Sequence, residues 1–249
     1  MITLFESDGH KNIMFNDLTS GAMVQANQHI IADGKACMVL DPGGHKVYAK
    51  LFPQISSVCP IDGLEHIFFS HQDPDIIAAA NGWLMVTDAT AWLPELWMRF
   101  LPHFGVDRLV MERVRPIPDQ GMTLTLNGSP LRLIPAHFLH SPGNFQVYDP
   151  VSKILYSGDL GASLGNEYIF AEDFDAHIAY MEGFHKRYMP SGRALKMWVR
   201  MVRSLDVEMI APQHGAVFSG REMVDRFIGW IDQLSCGLDL MDDAFVVPE

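Results

Sequence analysis

The segment after the apolar run at residues 66–69 constrains the fold most, because it sets His71, Asp73 and Asp75 on alternate residues. Pro74, which has no backbone N–H to lose at a helix start, opens a helical segment. A strand-to-helix turn is therefore predicted, in which the three side chains converge as they would around a metal ion. The alternative is an ordinary turn in which an Asp caps the helix.

Length and charge limit the kinds of protein that the chain can be. With 249 residues, 48% of them apolar, residues 1–249 are predicted to form a single α/β domain with a large core. The formal net charge of -12 argues against binding to nucleic acid or to an anionic membrane surface. No segment has the length and the apolar character of a transmembrane span, so no membrane insertion is expected.

The cysteines and the N-terminus favour a cytoplasmic location. Cys37, Cys59 and Cys236 are odd in number, are widely separated and lack a CxxC spacing. They are therefore predicted to be reduced and mostly buried thiols. The first residues also lack the basic head and apolar core of a signal peptide, so secretion is not expected.

Short apolar runs bounded by turn residues predict two β-rich halves with helices outside, which is an α/β sandwich. The first half begins as an antiparallel meander with an Asp33-Gly34 hairpin signal. The predicted strands are residues 13–15, 23–25, 29–31, 36–40, 66–69, 84–87, 122–126, 131–135, 145–148, 154–156 and 207–210. The predicted helices are residues 45–52 (interrupted by Pro53), 75–83, 90–100 and a segment capped by Ser191 with an apolar stripe at helical spacing.

Three further residues of ligand type lie just beyond predicted strands. They are His140 before Ser-Pro-Gly-Asn, Asp159 in Ser-Gly-Asp-Leu-Gly, and His214 in Pro-Gln-His-Gly. One histidine after a strand is usually a surface or hydrogen-bonded residue. Together with the first segment, however, these residues predict a shared metal site where the strand-end loops converge.

This ordered set, with the Leu-Asp-Pro-Gly-Gly turn at residues 40–44, resembles the metallo-β-lactamase fold, an αββα sandwich, over nearly the whole chain. Residues 187–190 (Arg-Tyr-Met-Pro) and 210–215 (Ile-Ala-Pro-Gln-His-Gly) are similar to the lactamase-like domain of flavodiiron proteins. That family binds two irons and reduces oxygen or nitric oxide.

Departures from the family patterns indicate which members of the fold family the chain resembles most. Hydrolytic members usually carry His-x-His-x-Asp-His, whereas flavodiiron proteins generally have Glu at position 73 and His at position 76. This chain has Asp73 and Ile76, and it stops at Glu249 without a flavodoxin-like domain. It thus resembles the stand-alone oxygen-binding diiron proteins associated with oxygen sensing in bacterial chemotaxis. We expect no flavin in this chain.

The resemblance implies a ligand for each metal position. A set of imidazoles and carboxylates without thiolate suits iron, with manganese or zinc less favoured. Two iron ions are expected in an oxygen- or carboxylate-bridged centre, and Ile76 is expected to line the open position where dioxygen binds. The implied ligands are His71, Asp73 and His140 for the first metal, Asp75 and His214 for the second, and Asp159 as the bridge. His137 is at most a reserve ligand or a neighbour that supports one.

The sequence leaves several functions open. The leading one is a non-haem diiron protein that binds dioxygen for sensing or handling. A dinuclear zinc hydrolase, a flavodiiron-type reductase with an external electron donor, and a metal-free relative that binds partners are the alternatives. The resemblance also implies a homodimer, with a chemotaxis receptor or an external electron-transfer protein as partner.

Overall fold

The chain begins with a β-meander that grows into a mixed sheet. The computed structural model describes residues 1–241 and 245–247. Its first sheet has seven strands in sequence order, antiparallel from β1 to β4 and parallel from β4 to β7. The strands are β1 (Ile2–Ser7), β2 (His10–Phe15), β3 (Gln28–Asp33), β4 (Ala36–Leu40), β5 (Leu64–Phe68), β6 (Thr90–Pro94) and β7 (Val114–Ile117).

The second half forms a six-stranded sheet with the order β13-β12-β11-β10-β9-β8. Only β11 and β12 pair in parallel, and the other neighbours are antiparallel. The carboxyl ends of β9, β11 and β12 therefore lie at one edge of this sheet. The strands are β8 (Met122–Leu126), β9 (Ser129–Pro135), β10 (Phe145–Asp149), β11 (Ile154–Gly158), β12 (Met209–Pro212) and β13 (Phe218–Ser219).

Helices cover the outer faces of both sheets. The described helices are α1 (His45–Val58), α2 (Pro74–Ile77), α3 (Ala80–Val86), α4 (Phe174–Tyr188), α5 (Gly192–Val202) and α6 (Arg221–Gln233). One core cluster joins the first sheet to α1, α2 and α3, a second joins the other sheet to α4, α5 and α6, and a third fills the space between the sheets. This helix–sheet–sheet–helix order confirms the predicted αββα sandwich.

The start of α5 shows how local sequence fixes an element. The Ser191 hydroxyl accepts a hydrogen bond from Ala194 N, as a helix cap does. Leu195, Trp198 and Val202 recur at helical spacing and are buried against the second sheet. Each such large apolar side chain contributes about 1.5–3 kcal/mol by leaving water. The predicted cap and apolar stripe are both confirmed.

Two predicted elements after the opening motif are wrong. Residues 84–87 are predicted as a strand, but 84–86 end helix α3 and Thr87 follows it. Residues 90–100 are predicted as a helix, but they form strand β6 and the start of the 3-10 helix Glu95–Phe104. A short apolar run does not distinguish a strand from a buried helix. Pairing decided the outcome, since β6 fills the place between β5 and β7.

Three smaller differences concern strand and helix ends. Residues 23–25 form no strand and belong to the connection between β2 and β3. Helix α1 continues past the exposed Pro53 to Val58, and the predicted helix at residues 75–83 is divided into α2 and α3. A proline in a helix removes one backbone hydrogen bond, which the buried face of α1 offsets.

The prediction that all three cysteines are reduced is wrong for two of them. Cys37 and Cys59 form a disulfide with their Cα atoms 6.4 Å apart, and Cys236 is free and buried. Cys37 lies at the start of β4 and Cys59 ends α1, so the β4–α1–β5 crossover returns the chain to its start within disulfide range. The sequence separation alone does not reveal this return.

Within residues 1–241 and 245–247, no helix has both the length and the apolar character needed to cross a membrane.

Candidate metal centre

The six predicted ligand residues lie together at the ends of strands from both sheets. His71, Asp73 and Asp75 follow β5, His140 follows β9, Asp159 follows β11 and His214 follows β12. Ligand atoms of His71, Asp73, His140 and Asp159 all lie within 4.8 Å of one another. Asp75 and His214 adjoin this group through Asp159.

Asp159 stands between two groups of donors. Its Oδ2 is 2.8 Å from His140 Nε2 and 3.8 Å from His71 Nε2. Its Oδ1 is 3.6 Å from His214 Nε2, which in turn is 3.5 Å from Asp75 Oδ2. The two oxygens of one buried carboxylate thus face different histidines, which is the arrangement that a bridging ligand needs.

Asp73 completes the first group of donors. Its Oδ2 is 3.4 Å from His140 Nε2 and 3.7 Å from His71 Nε2. Its other oxygen accepts a hydrogen bond from Gln72, which is held by the Ser141 hydroxyl. Oδ1 is therefore fixed by the protein, whereas Oδ2 faces the centre.

Hydrogen bonds at the far side of each ring orient two of the histidines. His214 Nδ1 is 2.6 Å from the Gln25 carbonyl oxygen and donates to it, so Nε2 of the ring is turned toward the centre. His71 Nδ1 is 2.9 Å from Ser70 Oγ, and Ser70 N donates to Asp41 Oδ1 at 2.7 Å. These contacts aim both Nε2 atoms inward.

Charge is balanced by protons when no metal is bound. Burial lowers the pKa of His140, but its hydrogen bonds to Asp159 and Asp73 outweigh burial and raise the pKa to about 10. Burial raises the pKa of Asp159, yet the charge of His71 and the His140 hydrogen bond hold that pKa below its usual value. Burial raises the pKa of Asp41 to about 6. Burial also raises the pKa of Asp75, and the charge of His214 offsets this rise only partly.

Two donor atoms in the centre lack any hydrogen-bond partner in the described chain. His71 Nε2 and Asp159 Oδ1 are both buried and unpaired. An unpaired buried polar atom costs about 1–3 kcal/mol unless another group takes it up. A cation beside His71 Nε2 and a second one beside Asp159 Oδ1 would satisfy these two atoms, so the residues present fit a metal pair.

The remaining site predictions have different outcomes. Ile76 is fully buried and packs in the core cluster of the first sheet with α1 and α3, so packing accounts for its burial. Its expected place beside an open metal position stays a prediction. His137 Nε2 lies 2.8 Å from the Asp119 carbonyl oxygen, and the ring contacts Phe145. His137 is outside the group of clustered donors.

Some residues beside the centre are not predicted by any sequence pattern. Gln25 lies 189 residues before His214, and no local pattern links the two. Phe184 and Tyr188 stack on each other, and both contact the His140 ring edge-on. The Arg-Tyr-Met-Pro motif contains Tyr188, but only the fold places that ring beside a candidate ligand.

Comparison with known proteins gives a family and two levels of likeness. A model of the family described as ODP family beta lactamase matches residues 24–215. The chain is 41% identical to the apo chemotaxis sensor ODP from T. denticola, with a TM-score of 0.88 and coverage of 98% of each chain. A structure of chemotaxis sensor ODP described as a peroxy diiron species has the same identity and a TM-score of 0.89, with 98% and 100% of the two chains covered.

Other matches are more distant. Rubredoxin oxygen:oxidoreductase from Desulfovibrio gigas is 16% identical, with a TM-score of 0.79 over 93% of this chain and 61% of that one. An uncharacterized protein of Methanocaldococcus jannaschii is 24% identical over 214 residues, and the chain spans 52% of its length. The D. gigas structure and the family match together confirm the predicted metallo-β-lactamase type of sandwich.

Proposed function

Because this chain belongs to the ODP beta lactamase family, we propose that its metal centre holds two iron ions and binds dioxygen. The observation that carries the proposal is the position of Asp159, whose two oxygens face separate histidines. A metal on each side of this carboxylate would use both oxygens. The description of the 41% identical ODP as a peroxy diiron species supports the same chemistry.

The donor set favours iron over the alternatives. Imidazole and carboxylate donors suit iron, and the clustered donors include no thiolate. Iron, when bound, supplies reversible oxidation and an affinity for small diatomic molecules. We propose His71, Asp73 and His140 as ligands of the first iron, Asp75 and His214 as ligands of the second, and Asp159 as the ligand shared by both.

The chain's own residues give this centre its character. Gln25 and Ser70 fix the histidine rings, and Gln72 fixes one oxygen of Asp73. Ile76, beside Asp75 and fully buried, presents hydrocarbon where the reductases that the chain resembles carry a histidine. We propose that this side chain leaves the second iron one ligand short and keeps water and proton donors away from the open position.

Metal analysis followed by an anaerobic oxygen titration tests the proposal. We expect protein made in iron-supplemented cells to contain two irons per chain, and we expect oxygen added to the reduced protein to produce a visible absorption band. Zinc in place of iron would favour the dinuclear hydrolase instead. Protein without metal, or iron-loaded protein whose spectrum oxygen leaves unchanged, would contradict the proposal.

We propose that the chain acts in oxygen sensing or handling in the cytoplasm, as a homodimer, with a chemotaxis receptor or an external electron-transfer protein as its partner. We also propose that it binds no flavin and reduces oxygen poorly by itself. Light scattering measures the oligomer. Flavin released by heat, or rapid oxygen consumption with NADH alone, would refute the last point.

A further inference from the structure

A cavity beside the metal centre lies between the starts of α1 and α2. Its volume is about 530 Å³, within the range of small-molecule sites. The connection from β2 to β3 lines it through Met23, Val24 and Ala26, and Val47 of α1 lines it as well. Val24 is 58% exposed, so an apolar surface is presented to solvent at this place.

Gln28 is the unexpected residue of this cavity. It lies at the start of β3, and the next residues on its face of the strand, Ile30 and Ala32, belong to the helix-facing core cluster. Gln28 is fully buried, yet neither Nε2 nor Oε1 has a hydrogen-bond partner among the described residues. Burying an unpaired amide is unfavourable, so a residue that only packs here would be apolar.

The start of α1 gives the same cavity a positive end. Gly44 caps the helix without a side-chain hydrogen bond, and the described first turn has no acidic residue. His45 and Lys46, which also line the cavity, belong to this turn. The free N–H groups and the dipole of a helix start attract an anion, and a lysine adds to that attraction.

We propose that this cavity binds a small apolar carboxylate. The carboxylate accepts hydrogen bonds from Gln28 Nε2 and from the first turn of α1, and the apolar body packs against Met23, Val24 and Ala26. The acidic residue on the wall is Asp75, whose Oδ2 lies 3.5 Å from His214 Nε2 and is thus turned toward the metal centre.

The cavity adjoins the second metal position on two sides. A Cβ on Gly44 would lie 3.1 Å from the Pro74 carbonyl oxygen and 3.9 Å from Asp75 Cα, so the start of α1 touches the ligand-bearing turn. Gln25, in the connection that forms the cavity wall, accepts the His214 hydrogen bond. A bound carboxylate therefore changes the affinity of the second metal, a consequence that rests on the proposed function, whereas the binding itself does not.

Calorimetry with octanoate, octan-1-ol and acetate tests the binding on the full chain, both metal-free and iron-loaded. We expect octanoate to bind at one site and the other two probes to bind at least about tenfold more weakly, since each lacks one half of the recognised chemistry. Saturable octanoate binding in the metal-free protein keeps this test separate from that of the iron centre. Absence of saturable octanoate binding in both forms would overturn the proposal.

Variants test whether octanoate binds in this cavity. Gln28→Leu should weaken octanoate binding about tenfold and raise the Tm of the ligand-free protein, because an apolar side chain replaces an unpaired amide. Gln120→Leu, at an exposed turn, is the matched control and should change neither. If Gln28→Leu lowers the Tm, the site is tested with Val24→Trp and Lys46→Met instead. Both variants alter the cavity from its exposed side, and both should weaken octanoate binding. Octanoate affinity unchanged in those two variants, or unchanged in a stable Gln28→Leu, would overturn the proposal.

Discussion

Asp159 Oδ2 lies 2.8 Å from His140 Nε2, and this contact joins the loop after β11 to the loop after β9. The other oxygen of the same carboxylate is buried, has no hydrogen-bond partner in the described chain and faces His214. One side chain therefore spans the two halves of the donor set.

Replacing Asp159 with Asn should remove most of the iron from both positions. The amide is nearly the same size, but it carries no charge and offers one carbonyl oxygen instead of two carboxylate oxygens, so it does not bridge. Iron per folded chain, measured by mass spectrometry of the metal, checks this. Asp149→Asn is the control, because Asp149 is also a buried carboxylate but lies outside the donor cluster. Full iron occupancy in the Asp159 variant would refute the bridging role.

Gln25→Leu should weaken the second metal position and spare the first. The Gln25 side chain accepts a hydrogen bond from Gly215 N at 2.7 Å and donates to Asn27 Oδ1, and these contacts hold the backbone carbonyl that orients His214. Loss of an orienting partner typically costs about 10- to 100-fold in metal affinity. Chelator competition measures the two iron affinities separately. The exposed Gln233→Leu is the control, and equal second-site affinities in the two variants would contradict the assignment.

Ile76→His should shorten the lifetime of the coloured species that oxygen produces in the reduced protein. Histidine offers a ligand and a proton donor where isoleucine offers only hydrocarbon, and exclusion of proton donors favours persistence. The measurement is stopped-flow absorbance at matched iron content. Ile76→Val is the control, because it keeps an apolar side chain at this buried position. Equal decay rates in all three proteins would leave Ile76 with the packing role that its core contacts already explain.

The stability of the metal-free protein should depend on pH through His10. Burial lowers the pKa of His10, but the hydrogen bond and charge of Asp149, with Asp33 on the other ring nitrogen, outweigh burial and raise it. The raised pKa means that the His10 contribution is fully present below the unfolded-state pKa of about 6.5 and is lost as the pH rises through the folded value.

His10→Gln should therefore cost about 1–3 kcal/mol of unfolding free energy near pH 5.5 and progressively less at higher pH. Urea unfolding from pH 5 to 9 in the presence of a chelator measures this difference. The exposed His103→Gln is the control and should show no such trend. A stability difference that stays constant across this range would show that the His10 ring acts by packing and not by its charge.

Local sequence was enough to predict an element where a single segment contains all the residues that indicate it. The strands Ala36–Leu40 and Met122–Leu126, the Ser191 cap and the stripe on α5 all have the predicted bounds or contacts. The errors at residues 84–87 and 90–100 have one cause. Apolar segments of this kind suit a central parallel strand and a buried helix equally. The pairing of β6 with its neighbours therefore decided which segment became the strand.

The sequence by itself predicted an α/β sandwich and a shared metal site, because ligand-type residues after successive strands form a pattern that does not need coordinates. The resemblance to a known family then named the six candidate ligands. Tertiary structure alone decided how those residues relate. It gave Asp159 two separate partners, joined Gln25 to His214, brought Cys37 to Cys59, and left Gln28 unpaired beside an apolar cavity. Each of these relations links residues far apart in the chain, or a side chain to the space around it, and neither is fixed until the two sheets have packed.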